Sequence, residues 1–286
     1  MNEFDKISND HHSGSAEIMN SCIDLLKHYP GKGELKSIKD KNSLLENLIQ
    51  FKENQKNFFI VQHFLKEIIG FLKTDNLKWQ QNLSELIRKY ESDWKDVNNR
   101  IAAKAHSTID LNDKTILLHS NSSTVKSFFN YKQTHTSSIK IIQTESRPVM
   151  EGRIQAEFLA GAGCQVTLIT DAAIGRYAKI ADLSILGADA IYKDFFVNKC
   201  GSLLIALLCQ EYEIPLYVLA DSRKLWISQD LSVSSEIFHE DRKPGDEIWK
   251  EPPQNVSIQN LYFDIIPNKF VRLFIMESDC YPGKEI

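Results

Sequence analysis

The stretch IIQTESRPVMEGRIQAEFLAGAGCQVTLITDAAIGRYAKIADLSILGAD, residues 141–189, alternates short apolar runs with segments of helical spacing. The apolar runs are Ile141–Ile142, Val166–Ile169 and Leu183–Leu186, and a polar or glycine-containing cluster follows each of them. Strands that alternate with helices indicate βαβ units and a parallel sheet. Because ligands of such sheets bind beyond the carboxyl ends of the strands, the polar clusters predict one wall of a binding site.

The same alternation extends on both sides of this stretch, from Lys114 onwards. We predict strands at 115–119, 139–144, 165–170, 183–187, 215–220 and 271–276. We predict helices at 151–162, 172–180 and 198–213, and a further helix that carries Val125, Phe128 and Phe129. The polar residues 228–260, which include Pro-Gly and Pro-Pro pairs, indicate an irregular excursion.

The residues before Lys114 have apolar side chains at helical spacing and no strand pattern before Thr115. The predicted helices are 14–29, 43–54, 57–73 and a long, charged one at 76–106. Their aromatic stripes indicate a helical core rather than a cofactor site. The expected fold class is therefore α/β, with a helical domain at 1–107 followed by a mainly parallel sheet domain at 108–286.

Composition excludes several classes of function. The net charge of −4 and the lack of a dense Lys/Arg run argue against a nucleic-acid-binding surface. No apolar run approaches the roughly 18 residues of a membrane span, and the N-terminus has no signal-peptide pattern. None of the five cysteines forms a CxxC pair, so neither a zinc site nor a disulfide framework is indicated, and we expect a reducing, cytoplasmic setting. We expect no metal site and no cofactor. Cys164, Cys200 and Cys209 are expected to be buried core thiols.

Two polar segments suit anion capture. The loop HHSGS at 11–15 precedes the first predicted helix and could direct free backbone N–H groups, at Gly14 and Ser15, towards an anion. An ordinary capped helix explains the same residues. The second segment is the turn His119–Thr124, which lies between a strand and a helix as phosphate- and carboxylate-binding turns do.

Six motifs, in one order along the chain, carry a family resemblance. They are ILLHSNSST at 116–124, QTESRP at 143–148, GAGCQVTLITDAAIG at 161–175, ADLSILGADAI at 181–191, FVNKCGSLLIALLCQEYEIPLYVLADS at 196–222 and NLYFDIIP at 260–267. Together they resemble the translation initiation factor 2B alpha/beta/delta family. That family also includes methylthioribose-1-phosphate isomerase and ribose-1,5-bisphosphate isomerase.

The resemblance implies a helical N-terminal domain on a Rossmann-like C-terminal domain, a sugar-phosphate pocket between them, and a homodimer formed through the C-terminal domain. In the isomerases a catalytic Cys and a catalytic Asp line the pocket. Ser120 occupies the Cys position and Asp189 the Asp position. The implied substrate-binding residues are Gly14, Ser15, Asn121, Arg147, Asn198 and Lys199. The family's glycine-rich phosphate loop matches only in part, because its usual Arg is absent and His12 stands nearby.

The Ser at position 120 bears on the chemistry. A carboxylic acid such as Asp189 can supply the acid–base step of an aldose–ketose isomerisation. A Ser hydroxyl, unlike a Cys thiol, needs a neighbouring base. His119 is adjacent, but adjacent strand residues point to opposite faces, so it should not activate Ser120 without a kink. The acid–base step therefore has a candidate residue, whereas the step that depends on the thiol does not.

Three functions remain open. The first is a sugar-phosphate isomerase that acts on a pentose 1-phosphate or 1,5-bisphosphate, with Asp189 and Ser120 as its catalytic residues. The second is a non-catalytic sensor of a sugar phosphate or nucleotide. The third is a regulatory subunit that acts through an initiation-factor-type protein partner. Arg147 and Lys199 are natural phosphate partners in the first two, and solvated surface charges otherwise.

Overall fold

The structure is a computed structural model that describes residues 3–8, 15–28, 38–55, 58–131, 139–226 and 243–286. The chain separates into two compact units, Met1–Asp96 and Val97–Ile286. Each unit has its own core of buried apolar side chains, as a domain requires. In the part of the chain that is described, no helix is long and apolar enough to cross a membrane.

The first unit is helical throughout its described residues, as predicted. Its helices are α1 (Glu3–Ser8), α2 (Ser15–His28), α3 (Ile38–Asn54), α4 (Phe59–Leu72) and α5 (Trp79–Trp94). Helix α4 contacts α2, α3 and α5. Its residues Phe64, Leu65 and Ile68 are fully buried, because apolar side chains occupy more than one stripe of this helix.

The helix predicted at 76–106 is interrupted at Lys95 and Asp96. After this interruption, α6 (Val97–Thr108) belongs to the second unit. Helix α5 buries Leu83 and Ile87 in the core of the first unit. Helix α6 instead contacts a helix of the second unit, Ser123–Asn130. The prediction of one continuous helix was therefore wrong. The apolar residues keep a helical spacing through the interruption, but those of α5 pack in the first unit and α6 belongs to the second unit.

The second unit is built on a parallel sheet, as the alternation of strands and helices predicted. Its strands are β1 (Thr115–Leu118), β2 (Lys140–Thr144), β3 (Gln165–Ile169), β4 (Leu183–Leu186), β5 (Ala190–Ile191), β6 (Phe195–Lys199), β7 (Leu216–Leu219), β8 (Phe263–Pro267), β9 (Leu273–Ile275) and β10 (Cys280–Tyr281). The larger sheet has the order β10-β9-β7-β4-β1-β2-β3. All neighbours in it are parallel except β10, which pairs antiparallel with β9.

The helices of the second unit connect these strands. They are α7 (Ser123–Asn130), α8 (Gly152–Gly161), α9 (Ile174–Tyr177) and α10 (Ser202–Glu211). Short 3-10 turns flank α9 on both sides, so the predicted helix at 172–180 is present as three short pieces. Residues 243–260 contain no strand and one 3-10 turn, Gly245–Glu247, which is consistent with the predicted irregular excursion.

A second, three-stranded sheet was not predicted. Its order is β5-β6-β8, and both pairings are antiparallel. The helix predicted at 198–213 begins instead at Ser202, since Phe195–Lys199 are all buried in strand β6. Gly201 separates the strand from the helix with a φ of +107°, a left-handed conformation that glycine adopts without steric cost. The sequence prediction was wrong here because β8, which pairs with β6 along its whole length, lies far away in sequence.

The sheet order determines where a site can form. Strands β7, β4, β1 and β2 are consecutive neighbours and run parallel, so their carboxyl ends lie along one edge. The turns that follow them contain Asp221–Lys224, Gly187–Asp189, His119–Ser122 and Glu145–Pro148 respectively. Three of these turns, those after β1, β2 and β4, are ones in which the sequence placed a binding site, whereas the turn after β7 was not selected.

Candidate functional site

The turn after β1 holds Ser120 in an unusual conformation. Its φ of +63° is left-handed, which residues other than glycine rarely adopt. The Ser120 N–H donates to Ser146 Oγ at 2.8 Å, and its hydroxyl donates to Glu151 Oε1 at 3.1 Å. Ser122 then caps α7 by accepting the Val125 N–H at 3.3 Å. Backbone strain of this kind persists where the surrounding contacts enforce it, and it is concentrated at functional sites.

The imidazole of His119 is buried beside this turn and contacts neither Ser120 nor solvent through its nitrogens. Nε2 lies 2.8 Å from the Cys200 carbonyl oxygen, which can only accept, so Nε2 carries the proton. Nδ1 lies 2.5 Å from Thr144 Oγ1 and accepts its hydroxyl proton. Burial lowers the pKa of His119 below its ordinary value of 6.5, which favours this neutral form. With both nitrogens occupied, His119 is not a base for Ser120.

The turn after β2 is fixed by a carboxylate from the 3-10 turn that follows β3. Asp171 accepts the N–H of Ser146 at 2.8 Å and the N–H of Arg147 at 2.7 Å. Ser146 is left-handed like Ser120, with a φ of +63°. The Arg147 side chain is exposed, with Nη1 3.8 Å from the sulfur of Met150. Arg147 is thus anchored through its backbone, while its guanidinium group remains accessible to an anion.

Glu151, which the sequence analysis did not select, joins two of the predicted residues. It directly precedes α8, and its Oε1 accepts the Ser120 hydroxyl and lies 3.0 Å from Lys199 Nζ. Its second oxygen, Oε2, is buried and has no hydrogen-bond partner among the described residues. The sequence did contain a signal for Glu151. It is a carboxylate at the start of the predicted helix 151–162, four residues after Arg147 in the strand-end turn.

Lys199 has a deeply buried ammonium group. Its side chain is 6% exposed, compared with 18% for Glu151, so the two form a largely buried ion pair. Nζ also lies 4.3 Å from the centre of the Tyr262 ring, a cation–π contact. The Tyr262 hydroxyl donates to Glu247 at 2.6 Å, which anchors the ring. A charge held this way is positioned before any ligand binds.

Asn198 and the start of α10 form the base of this arrangement. The Asn198 side chain is buried and its Nδ2 donates to Ser202 Oγ at 2.8 Å. The first turn of α10 is capped by Asp264 of β8, whose Oδ2 accepts the N–H groups of Gly201 and Leu203 at 2.8 and 3.0 Å. Asn198 therefore supports the Lys199 turn, with its amide committed to Ser202.

Asp189 follows β4 and is half-buried. Its N–H donates to the Val197 carbonyl at 2.8 Å, which joins the β4 turn to β6. Burial raises the pKa of the Asp189 carboxyl above its ordinary value of 3.8. The positive charges of Lys224 and then Lys199 act in the opposite direction and offset only part of this effect. The Asp189 carboxyl therefore keeps its proton to higher pH than an ordinary carboxyl group does.

The remaining predicted residues lie in different places. Asn121 is in the β1 turn, and its buried Oδ1 has no hydrogen-bond partner in the described part of the chain. Gly14 lies outside the described residues, and Ser15 begins α2 in the first unit without a described side chain. Of the thiols expected in the core, Cys164 and Cys209 are buried, but Cys200 is exposed because it follows the end of β6. The prediction for Cys200 was wrong.

The edge at the carboxyl ends of the strands brings together four charged side chains. Two are acidic, Glu151 and Asp189, and two are basic, Lys199 and Lys224. The buried acceptors Glu151 Oε2 and Asn121 Oδ1 have no donor among the described residues. Buried polar atoms normally have partners, so such atoms at a strand-end edge mark places where a ligand or water donates. The arrangement suits a ligand that carries both hydroxyl groups and an anionic group.

Comparison with known proteins places this geometry in context. Residues 17–281 match the model of the initiation factor 2 subunit family. A putative translation initiation factor eIF-2B subunit 2-like protein of Pyrococcus horikoshii is 36% identical over 68% of this chain and 65% of its own length. The ribose 1,5-bisphosphate isomerase of Methanocaldococcus jannaschii is 32% identical over 59% of this chain and 54% of its own length.

The fold agrees with these matches. The crystal structure of a translation initiation factor eIF-2B of Pyrococcus horikoshii superimposes with a TM-score of 0.76 at 24% identity, over 98% of this chain and 95% of that one. The chain spans just under two thirds of the first of the two sequence relatives and about half of the second. Since the family model covers nearly the whole sequence, from the helical unit to the last strand, the chain belongs to the initiation factor 2 subunit family.

Proposed function

We propose that this chain binds a pentose phosphate at the carboxyl edge of its parallel sheet. The observation that carries the proposal is the buried Glu151 Oε2, an unpaired acceptor on a carboxylate whose other oxygen contacts Lys199 and Ser120. Leaving a buried polar atom unsatisfied costs about 1–3 kcal/mol. A sugar hydroxyl that donates to Glu151 removes this penalty, and the named isomerases among the relatives act on sugar phosphates.

The charges of the site suggest how the two ends of the ligand are held. The hydroxyl groups face Glu151 and Asn121, whose buried oxygens need donors. The phosphate lies against the Lys199 ammonium and the accessible Arg147 guanidinium. A charge-assisted phosphate contact contributes about 1.5–3 kcal/mol. Lys199→Ala is therefore expected to weaken binding by about tenfold or more.

If the bound sugar reacts, Asp189 is the group that moves the proton. An aldose–ketose isomerisation opens the sugar ring and transfers a hydrogen between adjacent carbons. Burial raises the pKa of the Asp189 carboxyl, and a carboxyl group in such an environment can act as the acid and the base of this step. Asp189→Asn keeps the shape and removes the base, so it should abolish isomerisation and preserve most of the binding.

Ser120 separates an isomerase from a sensor. Its hydroxyl donates to a carboxylate rather than to a base strong enough to remove its proton, and His119 is engaged elsewhere. This contact favours a non-catalytic sensor of a sugar phosphate or nucleotide as the second candidate. Ser120→Cys restores a thiol at this position and should raise turnover of a pentose 1-phosphate or 1,5-bisphosphate if the thiol is all that is missing.

The test is a thermal-shift screen with pentose phosphates and nucleoside monophosphates, followed by turnover assays of the wild type and Ser120→Cys. A ligand at 100 times its Kd stabilises the folded chain by about 2.7 kcal/mol whether or not it reacts. Binding without turnover in both proteins supports the sensor. If no phosphate ligand raises the melting temperature, the binding proposal fails.

An assembly role is the candidate that would then remain. The relatives named eIF-2B subunit 2-like favour it, as does the presence of large exposed apolar side chains on α10, Leu204 and Leu207, at 46% and 45% exposure. Such side chains suit a protein interface, and we propose that the chain forms a homodimer in the cytoplasm. A monomer in light scattering at micromolar concentration would contradict the dimer. Recovery of initiation factor 2 in a pull-down would support the regulatory role.

A further inference from the structure

Lys224 is a charged side chain of the carboxyl edge that neither the motifs nor the proposed function uses. It lies in the 3-10 turn Ser222–Lys224, directly after β7. Its ammonium group donates a hydrogen bond to the carbonyl oxygen of Ala188, the residue before Asp189. Lys224 therefore contacts, from the neighbouring strand, the turn that carries the candidate acid–base residue.

The turn that carries Lys224 is held at several points. The buried Asp221 carboxylate accepts the Arg223 N–H and pairs with the Arg223 guanidinium group. The Ser222 N–H donates to Glu277 at 3.1 Å. The Trp226 N–H donates to the carbonyl of Ile191, the last residue of β5, at 2.7 Å. Because both sides of Lys224 are fixed, its ammonium group is directed at the Asp189 turn rather than free in solvent.

The charges around Asp189 explain why the position of the Lys224 ammonium group matters for the Asp189 carboxyl group. Two cations act on its carboxyl group from different elements, Lys224 from the turn after β7 and Lys199 from β6. Lys199 is already paired with Glu151 at 3.0 Å, so its charge is largely compensated. The Lys224 ammonium instead contacts a neutral carbonyl. Its charge therefore acts more fully on Asp189, in agreement with its being the larger of the two attractive contributions.

We propose that Lys224 is a positioning residue of the candidate site, which fixes the Gly187–Asp189 turn and places a compensating positive charge beside the Asp189 carboxyl group. The claim about this carboxyl stands by itself, whereas its catalytic meaning rests on the proposed function. Without the Lys224 charge, only Lys199 would oppose the effect of burial on Asp189, and the carboxyl would release its proton at higher pH. Lys224 thus sets the pH range in which Asp189 can act as a base.

The experiment measures the Asp189 carboxyl directly. Full-length protein labelled with carboxyl-13C aspartate is titrated by NMR, and the signal that disappears in Asp189→Asn identifies residue 189. In Lys224→Met we expect the Asp189 titration midpoint to move to higher pH. In Lys224→Arg, which retains the cation, it should stay near the wild-type value. Lys193→Met is the matched control, since Lys193 is an exposed lysine of the β5–β6 turn that does not act on Asp189.

An unchanged Asp189 midpoint in Lys224→Met would overturn the proposal, and so would equal shifts in the Met and Arg variants. The titration needs no ligand, so it is independent of whether a sugar phosphate binds. If the ligand screen fails while the midpoint moves, the proposed function is lost and the role of Lys224 remains. Where wild type turns over a pentose phosphate, the low-pH limb of the pH–rate profile reports the deprotonation of the base, and in Lys224→Met it should move to higher pH in parallel with the Asp189 midpoint.

Discussion

Replacing Lys199 by Met tests the buried ion pair on which the candidate site depends. The substitution keeps a side chain of similar length and removes the ammonium group 3.0 Å from Glu151 Oε1. Glu151 would then retain the Ser120 hydroxyl as a partner for Oε1, while Oε2 already has no partner among the described residues. A carboxylate would thus remain in a largely buried position without its counter-charge.

The size of the effect follows from the burial of the pair. Removing one partner of a buried ion pair costs about 3–5 kcal/mol, because the other charge stays behind uncompensated. Glu151 is 18% exposed and keeps one hydroxyl donor, which places the expected loss near the lower end, about 3 kcal/mol. For a folding unit of this size, that loss corresponds to a fall in Tm of roughly 6–12 °C.

The assay is urea unfolding of the full chain near neutral pH, for wild type, Lys199→Met, Glu151→Gln and the double variant. The double variant leaves no uncompensated charge, so it should be more stable than Lys199→Met alone, and the cycle gives the coupling energy. The matched control is Lys114→Met, since Lys114 lies 3.7 Å from Asp182 in an exposed pair of the same unit. An exposed pair contributes about 1 kcal/mol or less.

The reasoning is refuted if Lys199→Met costs no more than Lys114→Met. It is also refuted if the double variant is as unstable as the two single losses added together, because the two charges would then not be coupled. Either result would mean that solvent reaches the pair and that Lys199 is not held before a ligand binds.

Two further substitutions test neighbouring features. The pKa of Asp189 is raised in the folded chain, so the stability it contributes is present below its ordinary value of 3.8 and is lost as the pH rises through the folded value. Asp189→Asn should therefore raise the Tm near neutral pH and lose that advantage in acid; a constant difference across pH would contradict this. Gly201→Ala places a Cβ 2.8 Å from the His119 ring at a φ of +107° and should destabilise by about 1–3 kcal/mol. Gly175→Ala, which lies in α9 and meets no atom within 4 Å, should be neutral or stabilise by up to about 1 kcal/mol in the same unfolding assay.

Local patterns were sufficient for most of the elements. Strands β2, β3 and β4 lie within a residue of their predicted bounds, because each is a short apolar run closed by a polar or glycine cluster. Strands β5, β6, β8 and β10 were not predicted, and in β6 the residues Phe195–Val197 precede an apolar helix and were not recognised as a strand. Its pairing with β8 gives the run its strand conformation, and that partner lies more than sixty residues away.

The site was predictable only in part, because some of its contacts also join residues that are far apart in sequence. The strand-end turns directed attention to Ser120, Arg147 and Asp189, since the ends of parallel strands share an edge. Nothing in the local pattern connected Glu151 to Lys199 or Lys224 to the Asp189 turn. Those contacts depend on the order of strands in the sheet, which brings residues 36 or more positions apart to one edge.

The sequence by itself determined the fold class, the helical first unit and the parallel sheet, because hydrophobic periodicity is a local property that each segment carries alone. It also determined which turns are polar at the carboxyl edge. Only the tertiary structure decided which charges meet there, which oxygen of Glu151 is left without a partner, and why burial raises the pKa of Asp189. Ion pairing and desolvation depend on distances across the sheet, and the spacing of residues along the chain does not specify those distances.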